Sequence, residues 1–430
     1  MYVIVSIFFI LGYIAIVCEE FIKINKAAIA LFMGVICWVM ITPGMVEPAE
    51  QVASHHLSPI LAEIASVIFF LLSAMTIVEL IDIHGGFKTI TSRIHSTSRV
   101  GLLWIISITS FFLSAILDNM TTTIVMLLLL RKIVNSQEDR WLMSGFVVIA
   151  ANAGGAFSPI GDVTSIILWV NKKVTASQLI LQLFIPSLMV IIAPLVAISF
   201  KLKGDIDKPE HTEEDASLHD EPDVKRSEKL TILFMGVLSL LCIPVFKEIT
   251  HFEPYMGAFL SLSILWIVTE LMHLKKEEED RQILSINSVL KKIDTTSLLY
   301  LTGILLAVGA LHTSGHLADL AIVLKNTFGD DSLYPIPVLT GLLSSIVDNS
   351  ALVTAAKDMY MFEVDHKFWH LVALTAGTGG SCLIIGSAAG IAAMGLTKMS
   401  FGWYAKNISI WALLGYVAGI ATFWLLSFLH

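Results

Sequence analysis

Two stretches decide how this chain folds: Ser114-Ala-Ile-Leu-Asp118-Asn119-Met-Thr-Thr-Thr123 and Ser344-Ser-Ile-Val-Asp348-Asn349-Ser-Ala-Leu-Val353. Each sets an acid and an amide inside a strongly apolar run. A charged side chain at the centre of a bilayer costs about 2.5–3.5 kcal/mol even on the lenient insertion scale, so two in matching settings mark a function. The surrounding composition is that of a membrane protein. Of 430 residues, 56% are hydrophobic and 15% charged, and the mean hydropathy is +0.79. That is too apolar for a soluble globule, and the chain reads as an all-α, multi-pass membrane protein.

Apolar runs near the bilayer-spanning length of about 20 residues lie at 2–18, 27–41, 61–80, 180–200, 230–246, 256–271, 297–311 and 408–428. Between them stand segments that are apolar but broken. Residues 99–131 break at Asp118-Asn119, and 142–170 break at Gly154-Gly155-Ala-Phe-Ser158-Pro-Ile-Gly161-Asp162. The same two kinds of segment return at 335–356 and 368–394, the latter broken around Thr378-Gly379-Gly380-Ser381 and Gly386. Gly85 stands 33 residues before Asp118 and Gly315 stands 33 before Asp348, which is the mark of an internal repeat. The spacing predicts a first repeat over 1–202, a linker over 203–229 and a second repeat over 230–430. Each repeat holds three scaffold helices, a re-entrant helical hairpin, a Gly-broken helix and a final helix.

Lys and Arg mark cytoplasmic loops. Lys23, Lys26, Lys88, Arg93, Arg99, Arg131, Lys132, Arg140 and the stretch 275–292 are read as cytoplasmic, whereas 43–57, with Glu47 and Glu50, is read as outside. Lys172 and Lys173 break this pattern. Arg99 and Arg131 then share a side, so the segment between them enters and leaves by one face with Asp118 at its tip. The repeat places a mirror hairpin on the other face with Asp348 at its tip, and the two repeats have inverted topology. Both termini fall outside and 203–229 in the cytoplasm. That acidic linker accounts for much of the net charge of −9. Lys and Arg form no stripe beside exposed aromatics, so nucleic acid is not an expected partner. Cys18, Cys37, Cys242 and Cys382 have neither metal nor redox spacing and read as packing residues.

Broken helices at membrane depth are tolerated where they line a cavity, and inverted repeats place substrate and ion sites there. The side chains at these breaks are hard oxygen donors suited to a small cation. They are Asp118, Asn119, Thr121 and Thr122 at the first tip; Asp348, Asn349 and Ser350 at the second; and Ser158, Asp162, Thr378 and Ser381 in the glycine breaks. Sodium would be held by Asp118, Asn119, Asp348 and Asn349. A desolvated carboxylate holds either a proton or a cation, so the two compete, and competition at one seat is sufficient for exchange. Asn119 and Asn349 are equally suited to capping a half-helix. Asp162 could cap the helix after it or join the site. Gly154, Gly155, Gly161, Gly379, Gly380 and Gly386 serve to unwind and pack the helices. His55, His56, His84 and His95 read as ordinary loop histidines.

The Asp118-Asn-Met-Thr-Thr tip, its Asp348-Asn-Ser-Ala partner and the Gly154-to-Asp162 break resemble the NhaD family of sodium/proton antiporters, in a superfamily with arsenite permeases and sodium-coupled dicarboxylate carriers. The resemblance covers essentially the whole chain. In the dicarboxylate carriers the tips read Ser-Asn-Thr, so an aspartate at both tips separates this chain from them. The resemblance implies a carrier rather than an enzyme, expelling Na+ or Li+ against inward proton flow, with no cofactor beyond the transported ions. It also implies a homodimer built through scaffold helices, in a bacterial inner membrane. Three other readings stay open: an anion transporter of the same superfamily, a divalent-cation exchanger, and an intramembrane aspartyl protease.

Overall fold

The computed structural model describes residues 2–17, 19–45, 48–87, 98–206, 224–274, 276–328, 334–347, 349–384 and 386–429. Asp348 therefore lies outside the described residues, as do Cys18, Glu47, Lys88, Arg93, His95, Lys275 and most of the linker. Among the described residues the chain is helical, with an isolated bridge between Ser98 and Asp205. Six helices among the described residues are long and apolar enough to cross a membrane. The protein is an all-α, multi-pass integral membrane protein.

Eight principal helices form the first half: α1 (Tyr2–Val17), α2 (Lys26–Ile41), α3 (Ser58–Ile83), α4 (Arg99–Ser114), α5 (Asn119–Ile133), α6 (Gln137–Ala156), α7 (Val163–Val170) and α8 (Ala176–Ser199). Eight more follow in the same order: α9 (Arg226–Thr250), α10 (Pro254–His273), α11 (Thr295–Thr313), α12 (Pro335–Leu343), α13 (Asn349–Met359), α14 (Lys367–Gly379), α15 (Ala388–Thr397) and α16 (Ser409–Leu429). Helix α9 begins at Arg226, inside the stretch read as linker. The charged region after α10 forms two short helices, Glu278–Ile283 and Ile286–Lys292, the second burying Ile286 and Val289.

Local chemistry fixes where the helices start. Ser98, Ser136, Thr175 and Ser387 each accept a backbone N–H from the first turn of α4, α6, α8 and α15, satisfying donors that a helix start leaves orphaned. Helix α6 stops where Pro159 cannot continue its ladder. Gly85 and Gly315, which signalled the repeat, have φ of +71° and +81° in the turns after α3 and α11, a conformation glycine adopts without strain.

Burial sorts the helices into centre and periphery. From Met143 to Ala156 in α6, and from Phe368 to Gly379 in α14, every residue is buried. A helix that is apolar all round belongs in a core. Outside, α1 and α9 expose Ile4, Ile7, Leu11, Phe234, Leu238 and Leu241, the surface that faces lipid. Cys37 and Cys382 are buried and Cys242 is exposed on α9. Trp169 is fully buried against Phe70.

Exchanging the two halves maps several of the helix contacts onto one another. Helix α4 packs on α6 as α12 packs on α14; α2 meets α11 as α10 meets α3; and α5 meets α15 as α13 meets α7. At one end, Asp365 before α14 accepts from the Thr175 N–H after α7 at 2.7 Å and from the Thr175 hydroxyl at 2.9 Å. At the other, Trp141 in α6 donates to the Thr397 carbonyl closing α15 at 3.0 Å. The two broken segments α6–α7 and α14–α15 thus run in opposite directions. The lysines that broke the charge pattern sit at the Asp365 end, where Lys172 pairs with Glu253 at 3.1 Å and Lys173 lies 4.9 Å from the Trp369 ring centroid.

Candidate functional site

The glycine breaks exist because another backbone occupies the space a side chain would need. A Cβ on Gly154 would stand 2.0 Å from the Phe111 carbonyl oxygen, and one on Gly379 would stand 1.8 Å from that of Gly341. Gly161 and Gly386 approach the Ser114 and Ser344 carbonyls in the same way. Reciprocally, Ser114 donates to the Ala151 carbonyl at 2.6 Å and Ser344 to that of Ala376 at 2.8 Å. Gly155 lies near the end of α6, and Gly380 caps α14. Each broken helix is therefore laced to the half-helix before its tip, which brings tips and breaks together.

At the first tip the backbone turns sharply. Asp118 has φ 123° and ψ 161°, a region that is essentially glycine's own and costs another residue roughly 1–3 kcal/mol. Its carboxylate caps α5, one oxygen accepting the Thr121 N–H at 2.7 Å and the other the Thr121 hydroxyl at 2.7 Å. Asp118 is half-buried, whereas Asn119 next to it is buried.

Asn119 points to the centre. Its Nδ2 donates to Asp162 Oδ1 at 3.3 Å and to Asn152 Oδ1 at 3.0 Å. From the other half, Asn349 donates through Nδ2 to Asp162 Oδ2 at 3.4 Å. The Thr164 hydroxyl donates to that same oxygen at 2.8 Å. Asp162 is 2% exposed, and these donors are neutral. Asn152 extends the network, donating to the hydroxyls of Ser381 at 2.9 Å and Ser387 at 3.1 Å. Both tips and both breaks are thus joined through one carboxylate and one amide of the first half.

The chain is similar throughout its length to known transporters. A citrate-transporter family model matches residues 13–361. Sodium/proton antiporter 1 of Arabidopsis thaliana is 41% identical over 99% of this chain and 72% of its own length. The Na(+)/H(+) antiporter NhaD of Vibrio cholerae is 31% identical over 97% of this chain and 90% of its own length. The chain belongs to the NhaD family of sodium/proton antiporters.

The remaining expected site residues of this NhaD-family chain fall into three groups. Ser381 joins the network directly; Ser350 lies next to Asn349, its hydroxyl 3.4 Å from Asn349 Oδ1. Ser158 and Thr378 are turned to backbone: Ser158 donates to the Ala115 carbonyl at 2.5 Å and Thr378 to that of Leu374 at 2.6 Å. Thr122 is fully buried and its hydroxyl has no hydrogen-bond partner among the described residues. Such a group is uncommon in a folded interior. Asn152 and Thr164 lay outside the sequence expectations. The available signal for Asn152 was an amide inside the small-residue run Ala150-Ala-Asn-Ala-Gly-Gly155.

Proposed function

We propose that this chain exchanges Na+ or Li+ for protons, with Asp162 as the carboxylate for which they compete. The observation that carries the reading is the convergence of Asn119 and Asn349, one from each half, on the two oxygens of Asp162. A buried carboxylate that accepts from neutral amides and a hydroxyl can be neutralised by a proton or by a small hard cation, and binding one weakens the other. Asparagine suits both conditions, because its N–H donates to a carboxylate and its carbonyl oxygen, once turned inward, ligates a cation. Asp118, and by the repeat Asp348, stand one residue from these amides and add negative charge at the margin. Thr121, Thr122, Ser158, Ser350, Thr378 and Ser381 are the surrounding oxygen sources, and no resident cofactor takes part. If the seat changes sides only when neutralised, sodium and proton movements are coupled. The relatives' names as sodium/proton antiporters support the substrates.

In this account 1–202 and 230–430 are inverted-topology repeats with the Asp118 and Asp348 hairpins entering from opposite faces, supported by the opposed directions of α6–α7 and α14–α15. The termini lie outside and 203–229 in the cytoplasm. The chain functions as a homodimer in a bacterial inner membrane, a placement that its relative in the bacterium Vibrio supports; the Arabidopsis relative makes a plant membrane the competing placement. The family model's name gives a second reading, citrate transport, which a central carboxylate opposes. In everted vesicles, added Na+ or Li+ should collapse a preformed pH gradient. No response to either ion, with citrate stimulating flux instead, would replace this reading with the second.

A further inference from the structure

A cavity of about 420 Å³ opens between α3, α7, α11 and α13, at the end of the molecule where α7 finishes. Its wall includes Ile167 and Thr354, which lie about one helical turn along α7 and α13 from Thr164 and Ser350. None of Asp162, Asn119, Asn349 or Asn152 lines it. The cavity is therefore a vestibule that stops short of the site by one turn. A smaller cavity of about 190 Å³ lies between α5, α6 and α15 at the opposite end.

One charged side chain spans the larger vestibule. Lys357 on α13 is 9% exposed, and its ammonium meets Glu63 of α3 at 2.7 Å, Asp358 at 3.0 Å and the amide oxygen of Asn171, just after α7, at 3.3 Å. Three donors thus have three partners on three elements. Two of these, α7 and α13, lead directly to the Asp162 site. The third, α3, packs with α9, α10 and α11 in the surrounding scaffold. Opening the site to this side requires α7 and α13 to part from α3, and the Lys357–Glu63 bond cannot survive that movement.

We propose that Lys357 is the gate residue of this vestibule, a positioning residue whose ion pair with Glu63 clasps the inner helices to the scaffold and keeps the Asp162 site closed on the Asp365 side. The clasp gives the two neighbouring carboxylates a tethered cation in place of a free one, and releasing it opens the vestibule inward. The inference rests on the exchange reading for its purpose, but its geometry can be tested without transport.

The test uses a chain with Cys18, Cys37, Cys242 and Cys382 replaced by alanine and one reporter, Ser350→Cys, which is buried beyond the vestibule floor. A membrane-impermeant maleimide is applied to right-side-out and everted vesicles. Lys357→Met and Glu63→Gln should each raise the labelling rate roughly tenfold, within the usual range of conformational coupling, and from one side of the membrane. The charge-swapped pair Glu63→Lys with Lys357→Glu should return the rate towards that of the unswapped chain. The melting temperature of each variant in detergent, expected to stay near that of the unswapped chain, reports that it is folded. Equal Ser350→Cys labelling in every variant, or faster labelling that the swap does not reverse, would overturn the clasp. Sodium-dependent proton flux of the unmodified protein is measured beside it, so loss of the exchange reading would be seen separately.

Discussion

Asp118 and Asp162 divide the work that two acids in hydrocarbon could do. Asp118 holds a strained backbone and caps α5 with both oxygens; Asp162 receives amides from both halves. Replacing Asp118 by glycine should relieve roughly 1–3 kcal/mol of backbone strain while losing a cap worth about 1 kcal/mol. We therefore expect Asp118→Gly to melt at or above the parent temperature in detergent, yet to lose exchange as the marginal charge disappears; a large drop in melting temperature would show that the cap dominates. His84, just past α3, gives a pH-dependent counterpart. Its ring is fully buried, with Nδ1 2.6 Å from the Leu80 carbonyl and Nε2 3.0 Å from His273 Nε2. Burial pushes its pKa down to about 4. The unfolded chain, near about 6.5, then binds the proton first as pH falls. His84 thus contributes stability above about 6.5 that is lost on descending towards about 4. Melting temperatures of wild type and His84→Gln at pH 7 and 4.5 should converge at the lower pH; a gap that stays constant would contradict this. A loop histidine was the natural reading of the sequence, because nothing local announces that His273, 189 residues away, covers the ring.

At the scale of elements, the broken helices were legible because backbone geometry leaves marks in composition. Gly154-Gly155, Gly161, Gly379-Gly380 and Gly386 recur at a fixed shift, and each helix break falls among them. The glycines are needed for close approach, so Gly154→Ala and Gly379→Ala should each destabilise the protein by about 1–3 kcal/mol through overpacking and abolish exchange. Gly395→Ala, where a Cβ meets nothing within 4 Å, is the matched control and should melt near the parent temperature. Equal stability of all three would mean that the half-helices separate easily. What the sequence could not show was direction of reach. Asn152 faces Ser381 and Ser387 because α6 lies against α15 of the other half, a contact of more than 200 residues' separation with no local signature. Ser158 and Thr378, expected as oxygen donors, are turned to backbone carbonyls, Ser158 to Ala115 at the end of α4 and Thr378 to Leu374 one turn back in α14.

On the proposed reading the molecule is two repeats, and several helix contacts exchange between them around an unsymmetrical centre. Gly161 and Gly386 match, but the residue that follows is Asp162 in one half and Ser387 in the other. On the proposed reading, one such carboxylate between two repeats makes one seat rather than one in each half, which bears on how many ions are carried per cycle. Composition and the long apolar runs made the all-α membrane fold readable from sequence; that Asp162 of the first half meets an amide from each half followed only from the structure. The most direct test of the account is therefore the Na+-driven collapse of a pH gradient in everted vesicles containing Asp162→Asn, compared with wild type at equal amounts of folded protein. The account predicts that the substitution, nearly identical in shape but unable to carry charge, abolishes the response at every sodium concentration and pH tested. Exchange at the wild-type rate in Asp162→Asn would contradict it.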